Sequence, residues 1–385
     1  MGEDIAMNPV RPIRVMHVIA RMNVGGPAVL VADLMRNLNS LDFNSTLVTG
    51  YCDENESDYL DEVATDVKAK RVPGFGRSIS VSKDVKAFFL IMREIRNFKP
   101  DVIHTHTAKA GVLGRIAAVI SYPRAKRIHT FHGHLLHGYF DPRKVRLVIF
   151  LEKFLGMFTH KLIAIGNVVK SDLLNAGIGN ENKFEVIYPG LQELDLYPRA
   201  KARENLGLDL SKIYIVFVGR LTEIKRPDRL IELSRFIAHK HPSAHLLIAG
   251  AGEMLEGLEN IARDESLPIT FLGWRKDIGL ILSASDLAVL CSDNEGIPLT
   301  LIQASQAGLP IVSTKVGSVS DIVVDGVTGF LTEVSSRALI EGVSNLLSNP
   351  ELGIALGESG RKRAKELFSS RAMVDQHQKL YSQSL

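Results

Sequence analysis

Residues 293 to 310 read DNEGIPLTLIQASQAGLP and place an acid, Glu295, eight residues before an amide, Gln303. The acid stands at a turn after the apolar run LAVLCS, and an apolar-periodic segment follows. Pro298 fits the first turn of a helix, where its missing N–H costs nothing, and Gly308 fits the cap at the far end. Residues just before such a helix aim backbone N–H groups at an anion. A carboxylate beside them repels phosphate, so Glu295 suits hydroxyl groups instead, as on a sugar. Gln303, about two turns along the helix, reaches toward a second diol.

A second loaded stretch is VGRLTEIKRPD, with Arg220 at a predicted strand end and Lys225 five residues on. Two cations there suit a diphosphate, Arg forking two oxygens and Lys acting as a point charge. A solvated basic turn is the alternative. Near the start, Asn23-Val24-Gly25-Gly26-Pro27 joins a strand to a helix. Gly25 and Gly26 let backbone approach a ligand, and the helix start adds N–H groups and about half a positive charge. A tight turn with no ligand would read the same way. The segment is not GxGxxG, so a dinucleotide site is weakly supported. AGAGE (249–253) and FLGW (271–274) bring Gly250 and Trp274 to neighbouring strand ends, where a base or ribose could lie flat or the chain simply turns.

Six of the twelve histidines fall between 104 and 137: His104, His106, His129, His132, His134 and His137. Clustered histidine raises a metal site. Alternate residues of a strand face opposite sides, however, and carboxylates are sparse nearby. No metal is expected, and most of these histidines read as ordinary polar residues at strand ends. His132 is the exception, because HTFHG sets it at a strand end opening toward an interdomain cleft.

These residues need strands to position them. RVMHVIA (14–20), STLVTG (45–50), DVIHTH (101–106), RIHTFHG (127–133), KLIAIG (161–166) and FEVIYPG (184–190) are predicted strands, separated mostly by segments of helical apolar spacing. The stretch 188–208 breaks the rhythm with two prolines and a charged run, and its middle is taken as a linker. The alternation then restarts with IYIVFVGR (213–220), AHLLIAG (244–250), ITFLGW (269–274), LAVLCS (287–292) and PIVSTKV (310–316). The expectation is an α/β chain of two tandem doubly wound, Rossmann-like domains, 1–195 and 196–385, with the last ~20 residues returning to the first. In such open parallel sheets ligands bind beyond the carboxyl ends of the strands, where the residues above cluster.

At 385 residues the chain is long enough for two cores. A net charge of +3 is too small to argue for nucleic acid. Two cysteines, Cys52 and Cys291, build no disulfide framework, so a reducing cytoplasm is the default. The N-terminal MGEDIAMNPVRPIRV has no apolar core of a signal peptide, and no run of 18 apolar residues predicts a membrane span. The apolar, basic segment 139–161 reads as a core helix with a solvated face, with a membrane surface as the second reading.

Taken together, MNVGGPA, HTFHGH, VGRLTEIKRPD and SDNEGIPLTLIQASQAGLPIVSTKVGSVSDIVVDGVTGFL resemble the GT-B-fold retaining glycosyltransferases of family four, the group 1 proteins, over nearly the whole chain. The resemblance implies a nucleotide-diphosphate sugar held mainly by the C-terminal domain, with the acceptor at the N-terminal one. It would give Arg220 and Lys225 the diphosphate and Glu295 the donor-sugar hydroxyls. The backbone of Gly296, Ile297, Pro298 and Leu299 would lie near sugar and phosphate. Gly25 and Gly26 would close over the donor, and His132 would touch the transferred sugar. It implies UDP as the commonest carrier, retention of anomeric configuration, no cofactor and no metal. A glycan or polyprenyl-linked acceptor follows, in surface polysaccharide or glycolipid synthesis, with the enzyme cytoplasmic or peripheral on the inner membrane face.

Two departures stand out. The family's acid–x7–acid signature reads Glu295–x7–Gln303, which replaces a charge-assisted ribose contact of ~1.5–3 kcal/mol with a neutral one nearer ~1. The family's Gly-Gly pair and following acid read Gly317-Ser318 and Asp321. Weaker donor binding is expected, with the chemistry retained. Two other functions fit less well: a sugar-nucleotide epimerase or hydrolase, and a non-catalytic binding relative, the latter opposed by the intact Arg220, Lys225 and Glu295. A nicotinamide dehydrogenase fits worst.

Overall fold

The computed structural model describes residues 11–38, 41–54, 56–133 and 142–385. His134, His137 and the first part of segment 139–161 lie outside these or without described side chains. Two fully parallel sheets form the frame. The first contains β1 (Ile13–Ile19), β2 (Phe43–Thr49), β3 (Ala69–Arg71), β4 (Val102–His106), β5 (Lys126–Phe131), β6 (Lys161–Ala164) and β7 (Phe184–Val186). Their spatial order is β3-β2-β1-β4-β5-β6-β7. The second contains β8 (Ile213–Val218), β9 (Ala244–Ala249), β10 (Ile269–Gly273), β11 (Leu287–Leu290), β12 (Ile311–Thr314) and β13 (Gly329–Thr332), in the order β10-β9-β8-β11-β12-β13. Both are doubly wound sheets, and their order reverses between β1 and β4 and between β8 and β11.

Central strands of parallel sheets are covered on both faces and read as nearly continuous apolar runs. β11, LAVL, fits this, and all four residues are buried. β4 departs from it: VIHTH is buried throughout although three of its five residues are polar. In register, His17 of β1 faces His104, which faces Ile128, while His106 faces Thr130. The strand histidines are therefore core residues, not the ordinary polar strand-end groups that sequence reasoning expects.

The chain crosses between domains twice, and the crossings pair. Leu191 N–H donates to Phe368 O and Ser370 N–H donates to Leu191 O, each at 2.9 Å. Beyond the second crossing, helix Ser370–Gln383 packs on the first helix, Gly26–Asn37, and buries Tyr381 against the first sheet, with its hydroxyl 2.6 Å from His104 Nδ1. Buried Asp33 of the first helix accepts from Asn37, Gln192 and Ser370, tying both crossings to that domain. One apolar cluster runs from Val15 and Leu34 through Ile187 and Met373 to Ile215 and Leu290, so the two layers of the molecule share a packed hinge.

Candidate active site

Both switch points open onto one interdomain cavity of about 730 Å³. Its lining follows the carboxyl ends of β1 (Asn23 to Pro27), β4 (Thr107, Ala108), β5 (His132, Gly133), β8 (Gly219, Arg220) and β11 (Asn294 to Thr300), together with Lys225. Of the residues singled out from sequence, Gly25, Gly26, His132, Arg220, Lys225, Glu295, Gly296, Ile297, Pro298 and Leu299 meet here.

Gly250, Trp274 and Gln303 do not line the cavity. Gly250 directly follows β9, one strand away from the switch point. A Cβ there would sit 1.8 Å from Gly219 O, so packing between two strand ends already requires a glycine. Trp274 follows β10, at the sheet edge, and is exposed with Lys276 Nζ 5.3 Å above its ring. Gln303 is half-buried on helix Leu299–Gln306, and its side chain bonds no described residue.

Pro298 is the residue before helix Leu299–Gln306, one position earlier than the helical turn expected for it. At the other end Gly308, φ +74°, closes a Schellman cap: Leu309 N–H reaches Ala304 O at 3.0 Å and Gly308 N–H reaches Ser305 O at 2.9 Å. Across the cavity, a Cβ on Gly26 would meet Leu299 Cδ1 at 3.6 Å. The starts of helices Gly26–Asn37 and Leu299–Gln306 thus face one space, and their N–H dipoles favour an anion between them. Beside them a Cβ on Gly296 would lie 3.2 Å from Gly133 Cα and 3.4 Å from His132 O. Glycine is what lets the two domains meet there.

Lys225 belongs to a short 3₁₀ turn, Glu223–Lys225, held against the end of β11. Asp293 N–H donates to Ile224 O at 3.0 Å, and Cys291 Sγ donates to Lys225 O at 3.2 Å. Lys225 Nζ then pairs with Glu295 Oε1 at 2.5 Å, and Ser292 Oγ donates to the same oxygen at 2.6 Å. Glu295 is buried, which strengthens this pair. Arg220 is exposed at the cavity and forms no hydrogen bond or ion pair with any described residue. Burial lowers His132 to about 3, helped by nearby His377, so its imidazole is neutral at ordinary pH.

Sequence reasoning missed several of these features. It treated Lys225 and Glu295 as independent, and it had no signal for Ser292 or Gly133. It also missed Thr107, which lines the cavity with φ 68° and ψ 157°, a conformation almost confined to glycine and worth about 1–3 kcal/mol of strain. Asp321, noted only as a departure, bridges the domains. It accepts from Asn167 N–H at 2.9 Å, from Asn167 Nδ2 at 2.8 Å and from Tyr188 OH at 3.2 Å, capping helix Asn167–Asn175 of the first domain. Three buried histidines, His17, His104 and His106, bring ring nitrogens within 4.8 Å of one another. Five of their six nitrogens are engaged in one-to-one hydrogen bonds, to one another, His132, Tyr381 and Thr130.

Two Rossmann-like domains facing each other across their switch points define the GT-B architecture of glycosyltransferases. Anabaena HepE in complex with UDP superposes with TM-score 0.82, at 20% identity over 96% of this chain and 100% of that one. The lipopolysaccharide outer core galactosyltransferase WaaB gives 0.76, at 15% identity over 96% and 100%. The chain matches the family described as Glycosyltransferase Family 4 over residues 24–193 and Glycosyl transferases group 1 over residues 198–363. It belongs to that family and is a glycosyltransferase. Among its relatives, the Escherichia coli UDP-Gal:alpha-D-GlcNAc-diphosphoundecaprenol alpha-1,3-galactosyltransferase is 31% identical over 84% of this chain and 85% of that protein. The putative glycosyltransferase EpsD of Bacillus subtilis is 28% identical over the same shares.

Proposed function

We propose that this enzyme transfers a sugar, with retention, from a UDP-sugar to a polyprenyl-linked or glycan acceptor in surface polysaccharide or glycolipid synthesis. The observation that carries the reading is the convergence of Arg220, the Lys225–Glu295 pair and two helix starts on one interdomain cavity. Cations and dipoles there would take the charge of a departing diphosphate, and Glu295 would hold sugar hydroxyls. His132, from the acceptor-side domain, would stand beside the reacting sugar. On this reading no metal is needed, and turnover should survive chelation. The relatives' names support UDP and a lipid diphosphate acceptor.

Attachment to a membrane surface belongs to the same proposal. Helix Pro142–Met157 buries Glu152 against Arg115 at 2.7 Å and turns Leu147, Phe150, Phe154 and Met157 to the exterior, at spacings of three and four. Arg146 and Lys153 are exposed on the same helix, and its one acid points inward. An apolar stripe flanked by cations suits an anionic bilayer. Among the described residues no helix is long and apolar enough to cross one.

Thermal shift against a panel of nucleotides and sugar nucleotides tests the donor, with stabilisation by UDP expected and none by any nucleotide refuting the site. NMR of the product's anomeric centre tests retention, and an inverted product refutes it. Flotation with phosphatidylglycerol vesicles tests the stripe. Binding lost in Phe150→Glu is expected, whereas vesicle-free dimerisation through the same residues would assign it to a second copy.

A further inference from the structure

Glu295 has two carboxylate oxygens, and the described residues take only one. Lys225 Nζ and Ser292 Oγ both donate to Oε1, at 2.5 and 2.6 Å. Oε2 accepts no hydrogen bond from any described residue, nor is it one of the chain's sealed, partnerless atoms. It is therefore the oxygen left open to the cavity that Glu295 lines. An ionised carboxylate oxygen offers two lone-pair sites, enough for two hydroxyls of one sugar.

The two donors on Oε1 differ in kind. Lys225 reaches it with a long side chain from the short 3₁₀ turn Glu223–Lys225. Ser292 stands two residues past the end of β11 and is fully buried. Its carbonyl accepts from Thr314 Oγ1, the last residue of β12, at 2.7 Å. β11 and β12 are neighbours inside the second sheet, so the serine is fixed to two strands. An ammonium on a flexible stem follows new negative charge nearby, whereas a neutral hydroxyl on a short, buried side chain does not. A carboxylate held by Lys225 alone would be free to turn until the ammonium bridges both oxygens, and Oε2 would then be lost to a ligand. It would also lose its one tether whenever Lys225 is drawn toward a diphosphate.

We propose that Ser292 is a positioning residue: it pins Glu295 by Oε1, leaves Oε2 to the hydroxyls of the donor sugar, and holds the carboxylate still when Lys225 is drawn toward the leaving diphosphate. The use made of Oε2 rests on the proposed reading of the cleft as a sugar-nucleotide site. The pinning itself is a property of the free protein. It divides the labour of the pair, with Ser292 keeping the sugar in place while Lys225 answers the charge.

Two measurements on the full-length protein separate this role from a merely structural one. The first needs no ligand. A crystal structure of Ser292→Ala should show the Glu295 carboxylate turned, with Lys225 Nζ shared between its two oxygens; a carboxylate left in its present place would overturn the proposal. The second compares UDP-glucose and UDP-galactose with UDP by calorimetry. In Ser292→Ala the affinity for the better-bound UDP-sugar, relative to that for UDP, should fall about tenfold, because UDP lacks the hydroxyls that Oε2 would hold. UDP itself should bind as it does to the wild type. Glu295→Ala should lower the same ratio, and adding Ser292→Ala to it should cost less than about twofold more, since no carboxylate remains to be placed. Equal losses for UDP and the UDP-sugar, or losses that add in the double variant, would each overturn the proposal. Where Ser292→Ala does not fold, Ser292→Cys keeps a weak donor at the same place and should lower the ratio by a smaller factor; an unchanged ratio would overturn the proposal. Failure of UDP to bind the wild type would instead remove the sugar-nucleotide reading, and the ligand-free structure would still decide the pinning.

Discussion

Lowering the pH from 7 to 5.5 should bring this protein close to unfolding, because five histidines would have to be charged in its core. His17, His104, His106, His129 and His377 are each at most 4% exposed. Burial lowers all of them: His17 to about 3, His377 to about 4, and His104, His106 and His129 well below the usual value. In the unfolded chain each titrates near 6.5. Between those values the unfolded chain holds the proton and the folded one does not. Stability is therefore fully present above about pH 6.5 and is lost as the pH falls toward the folded values. At pH 5.5 each site costs about 1.4 kcal/mol and the five together about 7, against a typical total of ~5–15. Ordinary carboxylates titrate near 4 and do not interfere. Urea unfolding at half-unit steps of pH measures the effect, and the slope of stability against pH should report an uptake of at least about four to five protons near pH 5.5, because His132, His160 and His245, lowered by burial to about 3, 4 and 4, add to the five. His129→Gln should lower that uptake by about one. Constant stability from pH 7 to 5.5, or an uptake below about two protons, would refute the reasoning by showing that the folded cluster accepts protons.

Three further outcomes follow from the site. Lys225→Ala should lower kcat by at least ~10²-fold if its cation stabilises the leaving group; steady-state rates near those of the parent would remove Lys225 from the mechanism. Gln303→Glu should tighten UDP binding up to about tenfold in calorimetry, or leave it alone, because a neutral hydrogen bond becomes charge-assisted; collapse of binding would mean that the pocket is rebuilt around the amide. Asp321→Ala removes the carboxylate that caps Asn167–Asn175 across the domain boundary and should cost the closed arrangement about 1–3 kcal/mol. Solution X-ray scattering should then show a larger radius of gyration, and an unchanged profile would assign closure to the hinge alone.

Most of the frame was legible because strand patterning is local. β-branched runs and their turn residues located eleven of the thirteen strands among the described residues. The two missed, β3 (AKR) and β13 (GFLT), are short edge strands. Edges are covered on fewer sides and kept short, so their residues carry little apolar signal. The site was legible to the extent that parallel sheets place ligands at strand ends. Gly250 and Trp274 lie outside the lining of the cavity, and strand ends look too alike in sequence to tell which of them line it. The strand histidines were misread for the opposite reason. Their burial depends on neighbouring strands and on a helix more than 260 residues further along, and nothing local in VIHTH announces either. Thr107 gave no warning, because threonine is not a residue from which a positive φ is inferred.

The Lys225–Glu295 pair alters what the amide at position 303 means. In the cleft, the lysine proposed to face the diphosphate is held by the carboxylate proposed to face the sugar, and Ser292 holds that carboxylate in turn. The cation is thus fixed before any ligand arrives, and little reorganisation remains for the moment when charge develops on a leaving group. The same pairing lowers the net positive charge available to an incoming diphosphate, leaving Arg220 and two helix starts to supply the balance. A second carboxylate on helix Leu299–Gln306 would lower it further. With Gln303 the helix that points its N–H groups at the cavity carries no acid of its own, so the lost ribose contact is partly offset by a less negative surround. On this argument the exchange of acid for amide weakens donor affinity by less than the loss of a charge-assisted bond alone would cost, or leaves it unchanged. The reaction itself depends on Lys225, Glu295 and Arg220, which the exchange leaves in place.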